Sequence, residues 1–328
     1  MLPPLAPERA RALAAGLGRT HILVVGDAML DTFIAGRVTR LSPEAPVPVV
    51  TFDHESHRIG GAANVAHNVT ALGGCATLVA VAGHDEAAAT LTTACRGAGI
   101  APALVADAAR RTTTKVRIVT ERNQQVARVD YETDAEITAE VERRVVSAVQ
   151  QHAADASAIV ISDYLKGCVT TGVVRATIAV GNERRIPVLV DPKVPHIDAY
   201  AGATVITPNQ HEAETATHMR VRTEGDARDA ARLFRERSAC GAVLMTRGDQ
   251  GMWLLGDDVE GSLPAAAREV ADVTGAGDTV VATMALALAA GATLAEAARL
   301  ANEAAGIAVA KFGPAVVTPA ELLRALGL

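Results

Sequence analysis

Six short, almost unbroken apolar runs, separated by stretches of helical periodicity, set the tightest limit on what this chain can fold into. They are HILVVGD (21–27), ATLVAVAG (76–83), AIVISDY (158–164), PVLVDPK (187–193), ATVITPN (203–209) and AVLMTRG (242–248). A strand that is apolar at every position is buried on both faces, as in parallel sheets. Helical patterns fall near 62–73, 86–98, 136–152, 170–184, 224–238, 279–291 and 294–311. Alternation of this kind predicts a three-layer α/β/α sandwich with a mostly parallel central sheet. Ligands on such sheets bind beyond the carboxyl ends of the strands, where most of these runs close on Asp, Asn or Gly.

Two segments break the alternation. Residues 38–61 carry prolines and an alternating APVPVV run, and residues 112–132 read as two strands around a polar turn from Glu121 to Asn123. Both are expected to form a small β lid, about 38–59 and 112–132, on a single domain spanning 1–328; the alternative is a peripheral hairpin. No repeat or low-complexity linker divides the chain. Thr293 with Glu296 and Thr318 with Glu321 have the spacing of capping boxes.

Composition removes several classes. A net charge of −6 leaves no general footprint for nucleic acid or an anionic membrane, and 2% aromatic residues leave few rings on which bases could stack. The four cysteines form no CxxC pair and read as thiols of a reducing compartment. The first 17 residues lack the basic start, apolar centre and cleavage site of a leader, and the apolar stretch 280–290 is too short to span a bilayer. A soluble, cytoplasmic protein is expected. There is no GxxxxGK[ST], no HRD or DFG, no GxGxxG after the first strand, no GxSxG and no HExxH.

The strongest motif is Asp272-Val-Thr-Gly-Ala-Gly-Asp278, which runs straight into an apolar helix. A Gly-Ala-Gly turn at a helix start exposes amide N–H groups to a phosphate, and Asp278 on the first turn stands where a hydroxyl could be deprotonated. On spacing alone Asp278 is equally well a helix cap. Asn209 and Glu212 have capping-box spacing and also face the strand-end crevice. Gly60, Gly61 and Asn64 open another helix, with Asn64 suited to hydroxyl groups. Asp27 and Asp31, just past the first strand, are a polyol-binding pair or a structural one. Of 31 cationic residues only Lys115, Lys166, Lys193 and Lys311 are lysines, and the first three lie in strand-end or lid motifs. They are phosphate contacts or ordinary surface lysines.

Taken together, GGAANVA and DVTGAGDT resemble the two signatures of the ribokinase-like (phosphofructokinase-B) carbohydrate kinases, over residues 21 to 320. The ordered set VVGDAMLD, RLSPEAPVPVV, GGAANVAHN, RNQQVARVD, SDYLKG, DPK, TPNQHEAE and DVTGAGDTV resembles, within them, the D-glycero-β-D-manno-heptose 7-phosphate kinases of lipopolysaccharide inner-core synthesis. The resemblance implies transfer of phosphate from ATP to the anomeric hydroxyl, with Asp278 as base and Gly275, Ala276 and Gly277 as anion hole. It implies Mg²⁺ organised through water by Asn209 and Glu212, and a nucleotide site at Thr246, Arg247, Gly248, Gly251 and Asn302. Asp272 and Thr274 match a monovalent-cation position, which would hold K⁺. Asp27, Asp31, Gly60, Gly61 and Asn64 match the sugar site, and Lys115, Arg117, Arg128, Lys166 and Lys193 are the cations expected to meet the 7-phosphate. A homodimer through the lids is expected because an exposed lid edge invites a partner strand. The alternatives are a same-fold kinase for another sugar, sugar phosphate or nucleoside, and a non-catalytic sugar-binding relative.

Overall fold

The computed structural model describes residues 1–122, 124–267 and 269–328, so Asn123 of the expected turn lies outside the described residues. Thirteen strands are formed among them: β1 His21–Gly26, β2 Ala28–Leu41, β3 Pro48–Gly61, β4 Cys75–Ala82, β5 Ile100–Ala106, β6 Thr114–Thr120, β7 Gln125–Tyr131, β8 Ala158–Ser162, β9 Val188–Asp191, β10 Val205–Ile206, β11 Ala242–Thr246, β12 Met252–Leu255 and β13 Glu260–Leu263. The helices are α1 Pro7–Leu17, α2 Ala62–Ala71, α3 Glu86–Gly97, α4 Ala139–His152, α5 Thr171–Arg184, α6 Gln210–Thr217, α7 Glu224–Ser238, α8 Ala276–Ala289, α9 Leu294–Val309 and α10 Pro319–Ala325.

Nine strands make the main sheet in the order β13-β12-β11-β10-β9-β8-β1-β4-β5. All neighbours from β11 to β5 pair in parallel, and β12 and β13 add an antiparallel edge. The near-continuous apolar runs have the cause expected of them. Along β1, Ile22 and Val24 point into one core with α1–α3 and α8–α10, while Leu23 and Val25 point into the other with α4–α7. Sequence reading missed β5, whose Pro102 argues against a strand, and the short edge strands β12 and β13. Both capping boxes near the chain end form, as does that of Asn209 with Glu212. No helix among the described residues is long and apolar enough to cross a membrane.

The segments expected to form a separate sheet do so, in the order β3-β2-β6-β7, but the strands run further than the sequence suggested. Asp27 alone separates β1 from β2, so GDAMLD is the root of a 14-residue strand and not a loop. Two register shifts, at Ala35/Gly36 and Val38/Arg40, bend the β2–β3 pair. Asp31 pairs across the sheet with Arg58 on one side and Lys115 on the other, and Phe33 with Arg117. Side chains two residues apart share a face, so Asp31, Phe33, Arg58, Lys115 and Arg117 project from one side of this sheet.

Candidate active site

The parallel strands converge on one edge. Asp27, Asp163, Asp191, Asn209 and Thr246 stand at or just beyond the ends of β1, β8, β9, β10 and β11. Two helix starts face them. Gly61 (φ +58°) caps α2 and Gly275 (φ +79°) caps α8, both in a backbone region open to glycine. The third residue of each helix then meets the other: Asn64 Nδ2 donates to Asp278 Oδ2 at 2.6 Å. A rung below, Thr279 Oγ1 donates to Asn68 Oδ1 at 2.9 Å, and Asn68 Nδ2 donates to the Asn64 carbonyl at 2.9 Å. A Cβ at Gly275 would fall 2.9 Å from Asn64 Nδ2, so this close approach demands glycine.

Asp278 is only 5% exposed. Its other oxygen, Oδ1, accepts from the Tyr164 hydroxyl at 2.6 Å. Burial pushes its carboxyl up to about 6; the Tyr164 and Asn64 hydrogen bonds and the Lys193 charge oppose this, and Asp31 adds to it. Asp191 is likewise raised by burial, against the pull of Lys193, with Asp278, Glu212 and Asp163 adding repulsion. Burial alone would lower Lys193, but Asp191 and Glu212 outweigh it and keep the ammonium charged. Four carboxylates thus share one lysine, an arrangement that favours positive charge brought by a ligand.

The Gly275–Gly277 turn differs in one respect from the expected anion hole. The Ala276 amide donates to the Val273 carbonyl at 3.2 Å, whereas those of Gly275, Gly277 and Asp278 have no acceptor among the described residues. The free donors are therefore Gly275, Gly277 and Asp278 itself. Ala276 and Gly277 also line a cavity of about 390 Å³ whose walls include Thr246, Gly248, Gly251, Ala266, Val280, Asn302 and Gly306. Its size and apolar walls suit a nucleoside. Asn302 Nδ2 donates to the Pro264 carbonyl at 2.9 Å and so holds the wall loop in place.

Several expected site residues are engaged elsewhere. Arg247 does not line the cavity; its guanidinium bonds Gln250 Oε1 and the Thr223 carbonyl, and its Nε is buried with no partner among the described residues. Asp27 accepts three backbone amides, those of Tyr164 (2.8 Å), Lys166 (3.1 Å) and Cys168 (2.9 Å), which makes it the anchor of the loop after β8 and leaves little for a sugar hydroxyl. Lys166 points to Glu132 (3.0 Å) and Asp134 (2.7 Å), and Arg128 to Asp130 (2.9 Å). Opposite charges already satisfy both, so neither is a ready phosphate contact. Gly60 and Gly61 are needed for packing as well as access, since a Cβ would meet Asp31 Oδ2 at 2.8 Å or the Asp27 carbonyl at 2.3 Å.

Lys193 pairs with Glu212 and lies 5.8 Å from the Tyr164 ring centroid. Arg117 pairs with Asp31. Lys115 has no carboxylate within 4.0 Å among the described residues. Neither has Arg58, which the sequence reading passed over in HESHRIGG. Its guanidinium lies 4.9 Å from the Phe33 centroid and reaches the Gly313 loop beside Gly275. Tyr164 was also missed as a site residue. Its signal was a tyrosine directly after a strand-end Asp, in a chain that has three.

Asn209 Oδ1 takes the Glu212 amide, Glu212 Oε2 takes the Asn209 amide and Oε1 takes Lys193. No group of three or more His, Cys, Asp or Glu among the described residues is placed to hold a metal. These residues fit a divalent ion held through water and do not fit direct coordination. Asp272 Oδ1 accepts the Thr274 amide and hydroxyl, and Oδ2 the Gly313 amide, with the carboxyl kept below its usual range chiefly by Thr274.

A buried carboxylate flanked by free helix-start amides, with a nucleoside-sized cavity on one side and a cation-bearing sheet on the other, is the layout of a phosphotransferase. The model of the pfkB family carbohydrate kinases matches residues 19–321, and the chain belongs to that family. It is similar to the bifunctional protein HldE of Pelobacter propionicus, 44% identical over 310 residues, and to that of Azorhizobium caulinodans, 46% identical over 308 residues. These matches cover 94% and 93% of this chain but 63% and 64% of the relatives, so the chain spans just under two thirds of their length. The fold is shared with phosphofructokinase-2 from Escherichia coli in complex with fructose-6-phosphate (TM-score 0.76, 20% identity, 94% of this chain and 98% of that one). It is shared also with Arabidopsis thaliana ribokinase complexed with ribose and ATP (TM-score 0.71, 18% identity, 94% and 99%).

Proposed function

We propose that this carbohydrate kinase transfers the γ-phosphoryl group of ATP to the anomeric hydroxyl of D-glycero-β-D-manno-heptose 7-phosphate, giving the 1,7-bisphosphate for inner-core lipopolysaccharide precursors in the cytoplasm. The observation that carries the reading is the placement of Asp278 between free amides and a sheet face whose Arg58 and Lys115 meet no carboxylate among the described residues. The similarity to HldE proteins directs it to a heptose phosphate.

In this reading the acceptor hydroxyl donates to Asp278, which takes its proton as the sugar oxygen bonds to the γ-phosphorus. The bond from that phosphorus to the bridging oxygen breaks, and ADP leaves. The amides of Gly275, Gly277 and Asp278 face the charge spread over the moving group. Asn64 keeps Oδ1 free to accept from a sugar hydroxyl, since its amide nitrogen is spent on Asp278. Asn209 and Glu212 would hold Mg²⁺ through water, and the ion would supply charge neutralisation during the transfer. The small sheet acts as a lid that excludes water from the site. K⁺ beside Asp272 and Thr274 belongs to the same reading, and exchanging K⁺ for Na⁺ in the assay tests it.

The deciding experiment is a coupled ADP-release assay comparing the heptose 7-phosphate anomers with fructose 6-phosphate, ribose and adenosine. The expected result is a kcat/KM for the heptose phosphate well above the others. Preference for fructose 6-phosphate would overturn the substrate while leaving the kinase chemistry in place.

A second copy of the chain is the proposed partner. Val38, Leu41, Val47, Phe52 and Val129, all on the lid, are between 40% and 65% exposed, and β3 and β7 leave open sheet edges. Sedimentation at micromolar concentration is expected to give a dimer for the parent protein and a monomer for Phe52→Asp. A parent that is already monomeric sinks this assembly.

A further inference from the structure

The loop between β8 and α5 is fixed far more heavily than a surface connection requires. Leu165 holds φ +55°, a region that side chains of its kind avoid, and Gly167 holds φ +83°. Asp27 gathers the amides of Tyr164, Lys166 and Cys168. Asp163, fully buried, accepts from the Leu165 amide (2.9 Å), His196 Nδ1 (2.6 Å) and the Tyr200 hydroxyl (3.1 Å). Neither carboxylate has a role in the transfer described above. Strain held in place by two buried acids calls for something that the loop must position.

We propose that this loop exists to aim Tyr164, and that Tyr164 is the positioning residue of Asp278. Its hydroxyl and the Asn64 amide clamp the two carboxylate oxygens from different elements, fixing the carboxylate plane and leaving one lone pair on each oxygen for the acceptor. The inference rests on Asp278 being the base. Geometry supports it: both clamping distances are 2.6 Å, and the Lys193 ammonium stands over the Tyr164 ring. The phenol stays protonated, because burial first and the Asp278 and Asp191 charges next hold it well above its ordinary range. It donates that proton to Asp278 Oδ1, and a hydrogen bond to the charged form favours the ionised carboxylate.

The charged and titratable groups around Asp278 are Asp31 from β2, Tyr164, Asp191, Lys193 and Glu212. Tyr164→Phe keeps the ring and its packing and removes the hydroxyl alone. A base must be ionised to act, so kcat/KM falls as pH drops through the Asp278 pKa, about 6 in the parent. Loss of the donor raises that pKa, so the acid limb of the profile is expected to move upward by about one pH unit. At pH 7.5 most of the carboxylate is still ionised, so the expected fall in kcat of about tenfold, with KM for ATP unchanged, reports lost alignment of the base. Asp163→Asn, which loosens the loop but keeps the phenol, is expected to move the limb the same way by less. An acid limb unmoved in both variants, with each still folded by thermal melting, overturns the proposal. Asp278→Asn separates the two levels. If that variant keeps its turnover, the base reading fails; if it is inactive while the Tyr164→Phe profile stays put, only the present inference fails.

Discussion

Asp278→Asn is expected to lower kcat by about 10²–10⁴-fold with little change in ATP affinity, because the amide keeps the shape of the carboxylate but cannot take a proton. ATP affinity should survive for a structural reason. The free amides of Gly275 and Gly277 and the cavity walls at Thr246, Gly251 and Gly306 do not depend on the charge of that side chain. Equilibrium nucleotide binding and single-turnover kinetics on the same preparation separate the two effects. Turnover within tenfold of the parent would show that proton removal is not what Asp278 contributes.

Arg58→Met and Lys115→Met address the other end of the acceptor. Each is expected to raise KM for the phosphorylated sugar by about tenfold or more, since a charge-assisted hydrogen bond contributes roughly 1.5–3 kcal/mol. The double variant should lose about a hundredfold or more on the same basis, with KM for ATP unmoved. The control is the same sugar without its phosphate, on which neither substitution should have much effect. Equal losses on both acceptors would mean that these cations hold the lid and not the phosphate. Lys166→Met, by contrast, should leave the acceptor KM near that of the parent, because its ammonium is spent on Glu132 and Asp134.

The layered fold was legible because its signal is local. A strand buried on both faces must be apolar at every position, and six such runs named six of the nine strands of the main sheet. The edge strands escaped because β12 and β13 are four residues each and β5 carries a proline. The positions of Asp278 and of the glycines at both helix starts were legible for a similar reason, since backbone geometry restricts the residue type there. The partners of the charged residues were not. Nothing within DYLKG says that Lys166 faces two acids from the segment after β7, or that Tyr164 turns the other way to reach α8. Those choices are made by residues 32 to 114 positions apart in the chain. Arg58 was invisible for the same reason, since only the cross-strand register of β2 with β3 sets it beside Asp31.

The β2–β3 half of the lid leaves the core at Asp27 and returns at Gly61, and the two points are tied by the Ala62 amide donating to the Asp27 carbonyl at 3.0 Å. Those crossings define a short hinge. On its far side, within three residues, sits Asn64, whose amide grips Asp278. Were the small sheet to tilt about that axis, the movement would pass straight into the first turn of α2, because β3 ends at Gly61 and α2 begins at Ala62. On the proposed reading, closing over a sugar and setting the carboxylate that takes its hydroxyl proton are two ends of one lever.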